Sequence, residues 1–153
     1  KSCPKGLFSY HSDKTMIAHE MKIRVWYKET DQMGYVHHSN YICYYEAARS
    51  SFMRWLGVSY AEMEARGVMM PILDVQSKYI SPAFFEEELT VRLTVRELPS
   101  TRFTGFYEVF NEAGKLINTG STTLCFIRKE NHRPCRAPQW FVDLLRDRWT
   151  EEE

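Results

Sequence analysis

One carboxylate in this chain stands where acyl chemistry could use it. Asp31 follows Thr30 at the end of a strand-like run, and Gly34 comes three residues later. Tyr35-Val36-His37-His38-Ser39-Asn40-Tyr41 then leads into a long aromatic stretch with helical spacing. The first N–H groups of a helix lack intrahelical partners and carry partial positive charge, so an oxygen gaining negative charge is stabilised there. A carboxylate held beside that helix start can act on the same bound group, as a nucleophile on an acyl carbon or as a base on water. A lone Asp before a Gly is most often a turn residue whose side chain caps nearby N–H groups. The weight of the reading therefore rests on the spacing of the whole stretch.

The flanking pattern supplies the elements that must hold these groups. Residues 21–28 alternate Ile23, Val25 and Tyr27 with Lys22, Arg24 and Lys28, the period of a strand. Tyr41, Tyr45, Ala48, Phe52, Trp55 and Leu56 recur at spacings of three and four, which predicts a helix with Ser39 or Asn40 as N-cap and Gly57 as its stop. Ile42 and Met53 widen its apolar surface. A short helix is expected over 60–66. Strands are expected over 72–80, 88–98, 102–111 and 115–128, with Gly120 marking a bend or bulge in the last. In 88–98, Leu89, Val91, Leu93 and Val95 face one way and Thr90, Arg92, Thr94 and Arg96 the other. Pro138 sits at the first turn of a closing helix over 139–149. Strand, long helix, four strands at hairpin-length connections and a closing helix make an α+β chain with an antiparallel sheet.

Its 153 residues suit a single domain, assigned to 21–150, with residues 1–20 read as an extension or expression remnant outside the fold. Twenty basic and twenty acidic residues cancel, so no global field favours nucleic acid or an anionic membrane, and any anionic ligand must meet a local cluster. No uncharged apolar run approaches the ~20 residues that a bilayer span needs. Cys3, Cys43, Cys125 and Cys135 show no metal or redox spacing, and Cys43 and Cys125 fall in apolar patterns that suit buried free thiols. A reduced, cytoplasmic protein is expected. His37 and His38 adjoin an Asp, but neighbouring side chains diverge and no further His or Cys stands at ligand spacing, so no metal is expected. A Cys43–His nucleophile lacks an orienting third group.

Read as one pattern, residues 30–49 give T-D-x-x-G-x-V-x-H-x-x-Y-x-x-x-x-E-x-x-R. This resembles the signature of hotdog-fold acyl-CoA thioesterases of the 4-hydroxybenzoyl-CoA thioesterase/YbgC type. Arg133-Pro134-Cys135-Arg136-Ala137-Pro138 is similar to the family's segment before its terminal helix. The resemblance covers roughly residues 21–149. It implies a five-stranded antiparallel sheet wrapped round the long helix, and no cofactor. It implies catalytic Asp31, as nucleophile or general base, and His38, whose backbone N–H meets the thioester oxygen and whose ring can assist. Gly34, Val36 and Tyr41 are implied to lie against the substrate. His37 departs from the aromatic residue often found at its position. Glu46 and Arg49 also match; three residues apart, they are read as an ion pair.

Coenzyme A needs cations for its phosphates, and Arg102, Arg128, Lys129 and Arg136 are the best local anion site in a neutral chain. Apolar residues on both faces of the later strands suggest a second buried surface, and the family generally forms dimers or tetramers with shared sites. The reading is an acyl-CoA thioesterase, a homo-oligomer. Two alternatives stay open: a thioesterase for acyl carrier proteins, and a non-catalytic module that binds acyl thioesters.

Overall fold

A computed structural model describes residues 15–151. Strand β1 (Thr15–Arg24) is followed by a 3-10 turn (Tyr27–Glu29), helix α1 (Asn40–Leu56), helix α2 (Tyr60–Ala65) and strands β2 (Val68–Met69), β3 (Ile72–Tyr79), β4 (Glu88–Val95), β5 (Arg102–Phe110), β6 (Leu116–Arg128) and β7 (Pro134–Cys135). Helix α3 (Gln139–Asp147) and a two-residue β8 (Thr150–Glu151) close the chain. The five long strands form one antiparallel sheet in the order β3-β6-β5-β4-β1. Thirteen-residue β6 is its spine: β3 and β5 flank its length, and β2 and β7 pair with its last residues.

The alternation read in the sequence sets the inner face. Leu89, Val91, Leu93 and Val95 of β4, Phe103 and Tyr107 of β5, and Leu124 and Phe126 of β6 are all buried. Helix α1 packs on β1, β3 and β4. It presents Tyr41, Tyr44, Tyr45, Ala48, Phe52, Met53 and Leu56 to the core, and Gly57 ends it in the left-handed conformation (φ 90°). Each such aromatic or aliphatic side chain contributes about 1.5–3 kcal/mol through burial. Phe141 of α3 meets Phe103 and Phe126 at the other end of that face.

Several expectations are corrected. Strand β1 begins at Thr15, so residues 15–20, expected outside the fold, belong to it; residues 1–14 of the expected extension lie outside the described residues. Ile17 is 2% exposed and pairs opposite Val95, and His19 pairs opposite Leu93. The alternation is hard to read because His19 takes an inward position, where it stacks on Trp55 and bonds Ser51 (2.9 Å). Tyr27 lies in the 3-10 turn and is exposed, so the first strand ends at Arg24. Ile42 and Cys43 lie on the exposed side of α1. Arg49 makes no ion pair with Glu46: it is buried, its Nε donating to the Tyr60 hydroxyl (3.1 Å) and its Nη1 to that of Tyr107 (3.3 Å).

Gly120 is not a bulge. It pairs in register with Ser77 and Tyr107, and the register shifts fall between Ile72 and Asp74 and between Val109 and Phe110. A Cβ at 120 would lie 2.4 Å from the Tyr45 hydroxyl oxygen and 2.6 Å from the Gln76 carbonyl oxygen. The glycine is there for close approach.

Two outcomes are expected. Gly120→Ala lowers unfolding free energy by about 1–3 kcal/mol, as overpacking against backbone does, read from the denaturant midpoint at unchanged slope. Deletion of residues 1–20, which removes Ile17 from the core, costs at least about 3 kcal/mol in the same measurement. A truncated chain as stable as the whole would show that β1 is dispensable.

Candidate active site

The stretch between β1 and α1 is held by its own backbone. Thr30 and Val36 form an isolated antiparallel bridge, and Tyr35 forms another with Phe84. The Asp31 N–H donates to the Tyr35 carbonyl (2.7 Å), and the Gly34 N–H to the Asp31 carbonyl (2.9 Å). Gly34 closes this turn at φ 81°, a left-handed conformation that suits glycine. Asp31 Oδ1 accepts from the N–H groups of Met33 (2.8 Å) and Tyr35 (3.2 Å). One oxygen of the carboxylate thus fixes the loop. No hydrogen bond to Oδ2 occurs among the described residues.

Glu29, which no sequence pattern singled out, ties this loop to the helix. Its Oε1 accepts from the Trp26 N–H (2.7 Å) and the Tyr44 hydroxyl (3.2 Å). Its carbonyl accepts from the His37 N–H (2.7 Å) and the Asn40 side-chain amide (2.8 Å). Burial, and then the Glu29 carboxylate, hold the Tyr44 phenol well above its ordinary range. Asn40 is therefore committed to Glu29. Ser39 stands at the N-cap with helical φ and ψ and no side-chain cap, its Oγ 2.8 Å from His37 Nδ1. The expected side-chain cap is replaced by these contacts.

His38 sits at the helix entrance, exposed, with its ring 4.0 Å from that of His37. Its carbonyl accepts from the Tyr79 hydroxyl (2.9 Å). No acceptor for its N–H occurs among the described residues. Tyr41, the second residue of α1, is 3% exposed, its ring edge-on to Tyr44 and to Tyr79. Burial, and then neighbouring Tyr45, Tyr79 and Glu87, push its phenol up to about 12, so it is a hydrogen-bond donor at neutral pH.

Asp31, Val36, His38 and Tyr41 line one groove of about 320 Å³, walled further by Met33, Tyr35, Tyr79, Ile80, Ser81 and Pro82. Gly34 shapes the loop without lining it. The four cations are elsewhere. Ile80 and Ser81 bond the Ile117 carbonyl near the start of β6, whereas Arg128 ends that strand and Arg102 pairs beside Cys125. Eleven residues of strand put Arg128 about 30 Å or more from the groove at roughly 3.3 Å per residue. Arg102, Arg128 and Arg136 are exposed, and Lys129 approaches Glu64 (3.9 Å). Among the described residues no three His, Cys, Asp or Glu side chains are grouped to hold a metal, and no helix is long and apolar enough to cross a membrane.

The sequence profile of the thioesterase-like superfamily matches residues 25–145. YneP of Bacillus subtilis (strain 168), provisionally named an acyl-CoA thioesterase, is 33% identical over 123 residues, covering 80% of this chain and 88% of its own. The acyl-CoA thioesterase YbgC of Helicobacter pylori is 27% identical over 133 residues, covering 82% and 98%. Among solved structures, the DHNA-CoA thioesterase from Staphylococcus aureus superposes with a TM-score of 0.77 at 37% identity, over 83% of this chain and 85% of that one. The sheet curled on α1 is the hotdog fold that these proteins share. With its site loop, its fold and most of its length matched, the chain belongs to the thioesterase-like superfamily: a thioester hydrolase by family and a hotdog protein by architecture.

Proposed function

We propose that this chain hydrolyses an acyl-CoA thioester to the free acid and CoA, with Asp31 as the reacting carboxylate. The observation that carries the reading is the split role of that side chain. Oδ1 is spent on two loop N–H groups, while Oδ2 is left for chemistry in a groove that also contains the start of α1. The thioester carbonyl oxygen points to the His38 N–H, where the helix start stabilises the charge that develops on it. Oδ2 either attacks the acyl carbon, giving a mixed anhydride that water then opens, or takes a proton from the attacking water. In both routes the C–S bond breaks and the CoA sulfur ends protonated. The exposed His38 ring beside His37 is placed to move that proton.

The site is shared between copies of the chain. Within one chain the cations at 102, 128, 129 and 136 stand at the far end of the sheet, so CoA phosphates bound at Asp31 meet the cluster of another subunit. Strand β3, at one edge of the five-stranded order, displays exposed Ile72, Leu73 and Tyr79, with exposed Ile80 just after it, and the last two line the groove. Such an edge is covered by pairing or by another chain. Reduced thiols at Cys43, Cys125 and Cys135 fit a cytoplasmic protein. The basic surface also suits an acidic acyl carrier protein as the thiol carrier, which a parallel assay with acyl carrier protein separates.

Asp31→Asn is expected to keep acyl-CoA affinity within about tenfold and to lower turnover by a factor of order 10² or more. Thiol release over short, long and aromatic acyl-CoAs measures this, and wild-type turnover by the variant on the best thioester would remove Asp31 from the chemistry. For the shared site, the protein sediments as a dimer or tetramer, and specific activity falls on dilution below the dissociation constant. A fully active monomer would exclude cations from a second chain.

A further inference from the structure

The entrance to α1 commits its backbone donors, with one exception. The His37 N–H donates to the Glu29 carbonyl (2.7 Å) and the Ser39 N–H to His37 Nδ1 (3.2 Å). The Asn40 N–H donates to the His37 carbonyl (3.0 Å) and the Tyr41 N–H to the His38 carbonyl (3.4 Å). Of the N–H groups from 37 to 41, that of His38 alone has no acceptor among the described residues, and His38 lines the groove. An unpaired N–H beside a concavity is a donor held ready for a ligand oxygen, and its worth to a reaction depends on how firmly it is aimed.

The aim is set by the two peptide planes that meet at His38. Peptide groups are planar, so the His38 N–H points away from the His37 carbonyl, which the Asn40 N–H holds. The next plane, between His38 and Ser39, is held at its carbonyl. The Tyr41 N–H reaches that oxygen at 3.4 Å, beyond the usual range of about 2.7–3.2 Å. The Tyr79 hydroxyl donates to it at 2.9 Å. Tyr79 is the last residue of β3, 41 residues along the chain, so the firmer hold on His38 comes from the sheet. Its ring is steadied in turn, edge-on to Tyr41 (5.3 Å) and to His38 (6.4 Å).

We propose that Tyr79 is a positioning residue for thioester hydrolysis: its bond to the His38 carbonyl fixes the direction of the His38 N–H, the donor that meets the charge developing on the thioester oxygen. This rests on the reading of the groove as the site of hydrolysis. Tyr79 acts through the backbone of His38 and on no reacting atom. A donor aimed in advance costs no reorganisation when the charge appears, so a loosened donor shows in turnover rather than in binding. The effect is the same for every acyl group, because each presents the same carbonyl.

The test compares wild type and Tyr79→Phe on acetyl-, octanoyl- and benzoyl-CoA. Tyr79 is half exposed and Phe keeps its ring, and a melting temperature unchanged to within a few degrees verifies the fold. The variant is expected to lose about tenfold in kcat with KM within about twofold, equally on each thioester that wild type hydrolyses. Outright removal of an oxyanion donor costs about 10²–10³, and a loosened one costs less. Full turnover by the variant, or a loss that appears in KM or on one acyl group alone, makes Tyr79 a wall or a substrate contact and overturns the proposal. Backbone ¹⁵N relaxation of the free protein reads the same hold without turnover. The His38 amide is expected to be rigid in wild type, with an order parameter of about 0.85, and to fall toward about 0.6 in the variant, while amides from Tyr45 to Leu56 stay unchanged. A His38 amide equally rigid in both proteins overturns the proposal whatever the kinetics. Should wild type hydrolyse none of these thioesters while the amide loosens as expected, the thioesterase reading fails on them and the assignment of Tyr79 to His38 stands.

Discussion

Helix α1 lies as close to the sheet as it does because residue 120 has no side chain. Tyr45 reaches over that glycine, stacks on Tyr107 with ring centroids 4.4 Å apart, and bonds Asn118 on β6 and Ser77 on β3. One phenol therefore joins the helix to two adjacent strands. All three polar groups are buried or half-buried, and each has its partner, so the network fixes position rather than merely filling space. Everything at the front of the helix inherits that placement. Tyr41 lies one turn before Tyr45 and Tyr44 immediately before it, and their contacts with Tyr79 and Glu29 hold only while α1 keeps its height above the sheet.

From that anchor the site is assembled by short local links. Glu29 gathers the end of the 3-10 turn, the entry to α1 and the Tyr44 hydroxyl around one residue. The Asp31 loop hangs between this knot and Ala83, whose carbonyl accepts from Val36. The loop is capped by its own Asp31, whereas the helix start carries no side-chain cap and settles the His37 N–H and the Asn40 amide on the Glu29 carbonyl instead. This lets the first residues of α1 stay open toward the groove.

Much of this was legible in the sequence. The alternation in β4 fixed which residues face inward, the spacing from Tyr41 to Leu56 with Gly57 behind it defined α1, and the pattern around Asp31 brought Asp31, Val36, His38 and Tyr41 to one groove. What could not be read depends on contacts across the fold. His19 reads as a surface residue until Trp55 and Ser51 are seen to receive it, so the first six residues of β1 had no recognisable inner face. Arg49 has an acidic residue three positions before it, but two tyrosines from α2 and β5 claim its guanidinium. Gly120 has the local look of a bend, and only the position of Tyr45 reveals what its missing Cβ is for. The spacing of Arg102, Arg128, Lys129 and Arg136 suggests one anion site, but the length of β6 separates Arg128 from the Asp31 groove.

Arg49 has a consequence of its own. It is a cation in the core, faced by hydroxyl dipoles rather than a carboxylate, eight residues along α1 from Tyr41 and so about 12 Å from it at 1.5 Å per residue. Mobile ions cannot gather round a buried charge, so added salt screens it far less than it screens exposed arginines. The field of Arg49 along α1 therefore persists at ionic strengths that quench the fields of the exposed Arg102, Arg128 and Arg136.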